Sequence, residues 1–249
     1  MTTENRDVLR RAEDLADRCA RSGLVTASAF LTPAERFALE QTFAPREEKP
    51  LFLGGAEDCE RVCAFFLPDG MDSGDLDVEE TIRCVRFQSF FGQPGHRDYL
   101  GAILALGIAR ERIGDIRIKG CDAWVFCLAA VEPLLLSLDR VGRCTVRAAS
   151  SPLPDVPPEE YRVETLSFTV QSLRLDAVTG GMFRLSRSAA AEQIRLGLVS
   201  LNYSLCERVD ASVREGDVIS LRGKGKGKVT AVGGRSKKDR LFITCERRI

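Results

Sequence analysis

The proline-rich segment in the second half of the chain most constrains what this sequence can fold into. Four prolines lie within the seven residues from Pro152 to Pro158. Each proline removes a backbone donor and restricts φ, so this segment cannot continue a helix or a central strand. We therefore predict a Pro-rich linker over 151–160, after which a separate domain occupies 161–249.

The charge of the chain changes sign close to the same place. The whole chain has a formal net charge of zero, with 36 basic and 36 acidic residues. Residues 171–249 contain 16 Lys and Arg against 8 Asp and Glu, whereas residues 1–170 contain 20 against 28. This asymmetry indicates a C-terminal module that binds a polyanion, carried on an acidic body. A solvated basic face is the alternative interpretation.

Two further units are predicted before the linker. Residues 1–75 contain a helical pattern, followed by a second helix that begins with a Thr32 cap, Pro33 in the first turn and Glu35 as the capping-box partner. Residues 76–150 follow the β-α-β-β-α-β order of a split βαβ, RRM-like sandwich. The predicted fold class is α+β, with a small helix-and-strand N-terminal unit, this central domain and a C-terminal α/β domain.

Composition excludes several classes of protein. The nine cysteines are an odd number scattered among apolar neighbours, which favours buried free thiols in a reducing compartment. We predict no metal site, because His96 is the only histidine and the Cys59 and Cys63 pair has no second pair at ligand spacing. We expect no cofactor. The N-terminal thirty residues lack an unbroken apolar run, so we expect a cytoplasmic protein without membrane insertion. We also expect a monomer.

Arginines on a short capped helix are the strongest binding signal in the sequence. Ser186 is expected to cap this helix, Ala190 and Ile194 to face the core, and Gly197 to end it. Exposed guanidinium groups can each grip a phosphate with two parallel hydrogen bonds. A solvated helix face is again the alternative. The arginines concerned are Arg184, Arg187 and Arg195.

Residues 222–228 alternate basic residues with glycine, and further cations follow to residue 240. The spacing and the ending of a phosphate-binding P-loop are missing. Glycines allow a basic ribbon to approach a phosphate backbone closely, which favours RNA contact over a merely flexible hairpin. The candidates in this region are Arg222, Lys224, Lys226, Lys228, Lys237 and Lys238.

A second RNA contact is predicted in the central domain. His96 and Arg97 open a helix whose N-terminal dipole disfavours a positive side chain, so a bound phosphate would suit Arg97 there. A structural histidine, with Arg97 bridging to a carboxylate of its own domain, is equally compatible with the sequence. Alternation along the strands adds Arg83, Arg86 and Lys119 as candidates.

The C-terminal motifs resemble the RNA-binding domain named after ribosomal protein S-four. The pattern comprises Arg174-Leu175-Asp176, Ser186-Arg187 with Ala190 and Ile194-Arg195, then Gly197, Val199, Asn202 and Val213-x-x-Gly216-Asp217-Val218-Ile219, and it covers residues 171–230. Tyr203 stands where many members have glycine. The resemblance implies that Arg174, Ser186, Gln193 and Asn202 join the arginines and lysines above in an S-four-like RNA-binding surface.

The central region is similar to that of the bacterial YlmH-like proteins, which carry such a domain C-terminally. The matching stretch is Gly95-His96-Arg97-Asp98-Tyr99-Leu100-Gly101-Ala102-Ile103-Leu104, followed by Leu106-Gly107-Ile108, Arg110 and Ile113-Gly114-Asp115-Ile116. The resemblance implies binding to rRNA of the large ribosomal subunit, including stalled subunits that still carry peptidyl-tRNA. Expected partners are therefore that rRNA and tRNA, in quality control of stalled translation.

We predict that the chain is not an enzyme, because the sequence contains no recognisable constellation of catalytic residues. Two alternatives remain open at this stage. One is an RNA-modifying enzyme with an unrecognised active site in residues 76–150. The other is a protein-interaction adaptor in cell division, engaged through the acidic N-terminal half.

Overall fold

Two compact units make up the chain. The computed structural model describes residues 3–46, 49–158 and 163–248. Its backbone contacts divide the chain into two units, Met1–Glu159 and Glu160–Ile249. Residues 159–160 of the predicted linker and 161–162 of the predicted C-terminal domain lie outside the described residues.

The N-terminal part of the first unit combines two helices with a small antiparallel sheet. The predicted capping box of the second helix is confirmed, because the Thr32 hydroxyl accepts from the Glu35 amide at 3.3 Å and the Glu35 carboxylate accepts from the Thr32 amide at 2.6 Å. The sheet has the order β1-β3-β2. The elements are α1 (Thr3–Ser22), β1 (Thr26–Ala27), α2 (Pro33–Phe43), β2 (Leu51–Leu53) and β3 (Cys63–Phe66).

The rest of the first unit has the β-α-β-β-α-β order expected from the sequence. Its antiparallel sheet has the order β5-β6-β4-β8-β7, with a core of Val85, Phe87, Ile103 and Leu135 between the sheet and the helices. Its elements are β4 (Ile82–Ser89), α3 (His96–Ala105), β5 (Ile113–Lys119), β6 (Asp122–Leu128), α4 (Glu132–Leu136), β7 (Arg140–Val141) and β8 (Cys144–Ser151).

The other face of this sheet packs against the N-terminal elements. Ile82 and Phe126 of the sheet join Phe30 and Phe65 in one buried cluster. Residues 1–75 and 76–150 therefore share a core within the first unit, and their separation into two domains stays a prediction.

The proline-rich segment is held against the first unit as far as residue 157. Val156 belongs to the shared cluster. The Arg117 guanidinium donates to the Pro157 carbonyl at 2.9 Å, and the Leu153 amide donates to the Glu79 carboxylate at 3.2 Å. These contacts place residues 153–157 of the predicted linker on the surface and in the core of the first unit.

The second unit is a six-stranded antiparallel sheet with two helices on one face, and the α+β fold class is confirmed. Val178 and Ile194 of the helices pack on Ile219, Val229 and Ile243 of the sheet, whose order is β11-β10-β12-β13-β14-β9. The elements are β9 (Val163–Val170), α5 (Leu175–Met182), α6 (Arg187–Arg195), β10 (Val199–Leu201), β11 (Ser204–Leu205), β12 (Val218–Leu221), β13 (Gly225–Arg235) and β14 (Leu241–Arg248).

All nine cysteines are free thiols, and six of them are buried. Burial raises the pKa of Cys59 and that of Cys63 to about 12, which keeps these thiols protonated and inert. The prediction of burial is wrong for Cys121, which is exposed, and for Cys144 and Cys206, which are half-exposed. Within the described ranges, no His, Cys, Asp and Glu residues form a three-membered group that could hold a metal ion, and no helix has the length and apolarity to cross a bilayer.

Candidate nucleic-acid interface

Helix α6 has the local structure that its sequence predicts. The Ser186 hydroxyl accepts from the Ala189 amide at 3.1 Å, which satisfies one of the free donors at the helix start. Ala190 and Ile194 are fully buried, and Gly197 ends the helix with a φ of +66°. Packing of this inward face leaves the arginines at the two ends of the helix, Arg187 and Arg195, exposed.

At the start of α6, two arginines share one buried carboxylate. Arg174 and Arg187 each direct Nε at the Asp176 carboxylate, at 3.3 and 3.1 Å. Burial raises the pKa of the Asp176 carboxyl, but hydrogen bonds from Arg174 and Arg187 outweigh burial, so its pKa lies below the ordinary value. One carboxylate neutralises one of the two guanidinium groups, and the Arg187 side chain remains 55% exposed.

A second shared carboxylate lies beneath Arg184. Glu164 on β9 pairs with Arg184 and also with Arg247 of β14, the latter at 2.7 Å. The Arg184 side chain is 66% exposed and its backbone is left-handed, with a φ of +54°. These arginines are therefore positioned by the domain's own carboxylates while a net positive charge faces solvent. Sequence reasoning missed Arg247, because its partner lies 83 residues away.

The end of α6 meets the first glycine-rich turn of the sheet. The Arg222 amide donates to the Leu198 carbonyl at 2.9 Å, which brings the β12–β13 turn beside the C-terminal end of the helix. Left-handed backbone at Gly223 and Gly225, with φ of +80° and +94°, shapes this turn. We call Arg195, Arg222 and Lys224 the turn cluster. All three are exposed, and none forms an ion pair with another described residue.

Lys226 and Lys228, the next lysines of the basic run, do not belong to the turn cluster. Gly227 faces Met182 of α5, since a Cβ added there would lie 2.7 Å from the Met182 sulfur. Alternation along β13 therefore directs Lys226 and Lys228 to the face of the sheet without helices. The structure thus divides the basic run between two faces. Lys237 and Lys238 are exposed in the β13–β14 hairpin, at the far end of β13 from the turn cluster.

Asn202 and Gln193 are both half-buried in the second unit. The Asn202 amide donates to the Asp217 carboxylate at 2.8 Å and accepts from the Val218 amide at 2.9 Å. Asn202 and Tyr203 are both left-handed, with φ of +49° and +64°, and form the two-residue turn between β10 and β11. The Asn202 side chain therefore organises the fold at this hairpin, and Gln193 is half-buried on α6.

In the first unit, His96 and Arg97 are exposed at the start of α3. The Asp98 carboxylate accepts from the Gly95 amide at 2.8 Å. Neither His96 nor Arg97 has a hydrogen-bonded or ionic partner through its side chain among the described residues. The bridge from Arg97 to a carboxylate, which was the structural alternative, is absent from this part of the molecule.

The remaining candidates in the first unit lie on two faces of one sheet. Residues three apart on a strand point to opposite sides, so Arg83 and Arg86 diverge. Arg83 lies between Glu79 at 3.6 Å and Glu132 of α4 at 3.9 Å. Arg86 lies over the Trp124 ring, 5.6 Å from its centroid, and pairs with Asp122 at 2.9 Å. Lys119 is exposed and paired in register with Asp122.

Two exposed aromatic residues were missed by sequence reasoning. Phe90 and Phe91 follow β4 and are 55% and 81% exposed. Their position before the Gly-Gln-Pro-Gly loop was the available signal, because a loop outside the sheet offers little core to bury them. They lie six and five residues before His96 in sequence, on the loop that leads into α3.

Comparisons with known proteins agree with this architecture. Residues 75–155, from just before β4 to the 3₁₀ turn after β8, match the family model described as "Putative RNA-binding domain in YlmH". The structure of the cell division protein ylmH from Streptococcus pneumoniae is similar with a TM-score of 0.54 and 18% identity, over 62% of this chain and 95% of that chain, which supports the fold.

A curated relative extends the similarity into the second unit. The chain is 32% identical to the ribosome-associated protein quality control protein P2 of Bacillus subtilis (strain 168) over 219 residues, which are 88% of this chain and 85% of the relative. Similarity of this extent reaches well beyond residues 75–155. On this evidence, the chain belongs to the family of YlmH-like proteins.

Proposed function

We propose that this protein is a non-enzymatic RNA-binding factor that acts in the cytoplasm as a monomer. It binds structured rRNA of the large ribosomal subunit, with tRNA as a second ligand, in quality control of stalled translation. The observation that carries the proposal is the turn cluster, in which three exposed cations without ionic partners among the described residues lie at the end of α6 and in the β12–β13 turn. The name of the Bacillus subtilis relative supports the ribosomal setting.

The chemistry of the turn cluster suits a phosphate backbone. A guanidinium that already has a carboxylate partner has less uncompensated charge for a phosphate, whereas Arg195 and Arg222 have no carboxylate partner among the described residues. Glycine on both sides of Lys224 removes side chains that would hold a phosphate away. Such contacts orient the protein on a folded RNA without reading its bases.

The two units provide separate contacts in this proposal. His96 and Arg97 at the start of α3 supply a phosphate site in the first unit, while the turn cluster supplies one in the second. Two weak contacts on one chain bind more tightly than either alone, because the second binding step is intramolecular. Unpaired Arg97 at a helix start is the specific observation that supports the first site.

Sedimentation of a lysate through sucrose gradients tests the proposal. We expect the wild-type protein to migrate with large subunits at low salt and to leave them at high salt, because phosphate contacts release counterions. Replacing Arg195, Arg222 and Lys224 together with alanine should shift the protein to the top of the gradient. The matched control replaces three arginines that are paired with carboxylates, Arg36, Arg46 and Arg208, with alanine and should sediment as wild type.

Two outcomes would redirect the assignment. Association with a protein complex that persists at high salt would favour an adaptor. A modification missing from rRNA of a deletion strain, detected by mass mapping, would favour an enzyme. The proposal predicts an unchanged modification map.

A further inference from the structure

The β13–β14 hairpin forms a basic, open cavity at the edge of the second unit. Its volume is about 700 Å³. The hairpin lies outside residues 171–230, which carry the S-four resemblance. We call Arg235, Lys237, Lys238 and Arg240 the hairpin cluster. The cavity is lined by Thr169, Arg235, Ser236, Lys237, Lys238, Arg240 and Phe242.

Only part of the charge in the hairpin cluster is neutralised within it. Arg235 pairs with Asp239 at 2.6 Å, and the Arg240 guanidinium donates to the Thr169 carbonyl at 2.6 Å. The Thr169 carbonyl holds the Arg240 guanidinium in place but does not neutralise its positive charge. Lys237 and Lys238 are exposed and have no ionic partner among the described residues. The cavity therefore presents an excess of positive charge that a phosphodiester would complement.

Phe242 gives the same cavity an aromatic surface. Phe242 is 49% exposed and lies opposite Thr169 on one neighbouring strand. On the other strand the ladder is irregular between Val232 and Arg235, which places Gly233 and Gly234 beside it. A Cβ on Gly233 would lie 3.4 Å from the Phe242 Cβ, and one on Gly234 would meet nothing within 4 Å. Because neither glycine has a side chain, β13 leaves the ring uncovered there.

The cavity adjoins the start of α6. A second cavity of about 380 Å³ is lined by Arg187 of α6 together with Thr169 and Arg240, which also line the first. Arg240 and Thr169 thus connect the hairpin cluster to the helix arginines.

From these observations we propose that the hairpin cavity binds an unpaired nucleotide of a single-stranded RNA segment. The base stacks on Phe242, and Lys237 and Lys238 hold its flanking phosphates. Every base has a flat aromatic face, so such a site tolerates different sequences but excludes bases that remain paired in a duplex. This inference rests on the proposed function and adds the class of RNA that the second unit recognises.

Measuring the protein's affinity for two RNA probes distinguishes base stacking from general electrostatic attraction. The probes are a labelled oligouridine of about 12 nucleotides, within the usual range for single-strand sites, and a blunt RNA duplex. Phe242→Leu should weaken oligouridine binding by about fivefold to 150-fold, the usual cost of losing one stacked base. Phe242→Trp keeps an aromatic ring at this position and should bind oligouridine as tightly as the wild type does. Duplex binding should stay unchanged in both variants. Lys237→Ala with Lys238→Ala should weaken oligouridine binding and flatten its salt dependence.

The control is Leu205→Ala, which removes another exposed apolar side chain from the same unit. If Phe242→Leu and Leu205→Ala bind oligouridine equally well, the inference is wrong. Duplex binding that still depends on the turn cluster would then leave the proposed function standing. If the wild-type protein binds neither probe at low salt, both proposals fail.

Crosslinking provides an independent readout in the full-length protein. A 4-thiouridine in the oligouridine, irradiated in the complex, should attach to the tryptic peptide Leu241–Arg247, which contains Phe242. Attachment only to peptides of α6 or of the first unit would overturn the inference.

Discussion

The two units differ in where their unpaired cations lie. Both contain arginines paired with carboxylates, such as Arg36 with Glu40 and Arg86 with Asp122 in the first unit and Arg187 with Asp176 in the second, and the described part of the first unit also contains the unpaired Arg97. In the second unit, the turn cluster and the two lysines of the hairpin cluster lack such partners within the described residues. The comparison teaches that a cation's local partners, more than the net charge of the chain, indicate where a polyanion can bind.

The units also differ in how they are stabilised. The central sheet of the first unit is buried on both faces over much of its length, because α3 and α4 cover one face and the N-terminal elements pack on the other. The sheet of the second unit has helices on one face, and its other face presents Lys226 and Lys228. The first unit thus uses much of its sheet for stability, whereas the second leaves surface available for binding.

The largest expected effect tests the shared core of the first unit. Phe126 is fully buried in the cluster that joins Phe30 and Phe65 to the central sheet. Phe126→Ala should lower the free energy of unfolding of this unit by about 3–5 kcal/mol. Hydrogen exchange should show α1 and β4 losing protection together, while β13 and β14 keep theirs. Independent loss of protection in α1 alone would separate residues 1–75 from the central domain.

A smaller effect is expected at the carboxylate that positions two arginines. Asp176→Asn should destabilise the second unit by about 1–2 kcal/mol, a range reduced for the solvent exposure of both arginines. Because the pKa of folded Asp176 lies below its ordinary value, its stabilisation is present above pH 4 or so and is lost as the pH falls through the folded pKa. The variant should therefore show a weaker loss of stability in acid, measured by urea unfolding across pH. Equal acid sensitivity in both proteins would rule out this role.

The contrast between free and paired cations can be sharpened within the first unit. Arg97→Ala should weaken binding to large subunits by about fivefold at low salt, the loss of one phosphate contact. Arg83→Ala should leave affinity within about twofold of wild type, because Arg83 lies between two carboxylates, at 3.6 and 3.9 Å. Filter binding measures both. The reverse ranking would show that internal pairing does not predict which cations bind RNA.

The smallest effect concerns the turn after Asn202. Tyr203 has a φ of +64°, which costs more for a residue with a Cβ than for glycine. Tyr203→Gly should raise the free energy of unfolding of the second unit by about 0.5–1 kcal/mol. Thermal unfolding provides the measurement, and a destabilised variant would show that contacts of the Tyr203 ring outweigh the strain.

Local features of the fold were predictable from sequence, whereas charge pairing was not. The caps at Thr32 and Ser186 depend on residues three apart, so the chain specifies them locally. The pairing of Glu164 with Arg247 joins residues 83 apart, and only the adjacency of β9 and β14 brings them together. A list of arginines therefore cannot distinguish those with internal partners from those without.

Burial of the central sheet illustrates a similar limit. Ile82, Cys84 and Val85 on β4 are all buried, which breaks the simple alternation that marks a sheet with one wet face. The adjacent apolar residues Cys84 and Val85 were a signal that both faces are covered, but they do not identify the elements that cover them. The exposed ring of Phe242 likewise depends on an irregular ladder beside Gly233 and Gly234, which alternation along β14 does not encode.

The salt dependence of RNA affinity shows how many phosphates the turn cluster contacts. Each phosphate contact contributes about 0.7–0.9 to the slope of log affinity against log salt. For the variant with alanine at Arg195, Arg222 and Lys224, we predict a slope shallower by the contribution of about two to three contacts. The melting temperature should be unchanged, and the control variant that lacks three carboxylate-paired arginines should have the wild-type slope. An unaltered slope in a folded variant would contradict the claim that these unpartnered cations hold the RNA.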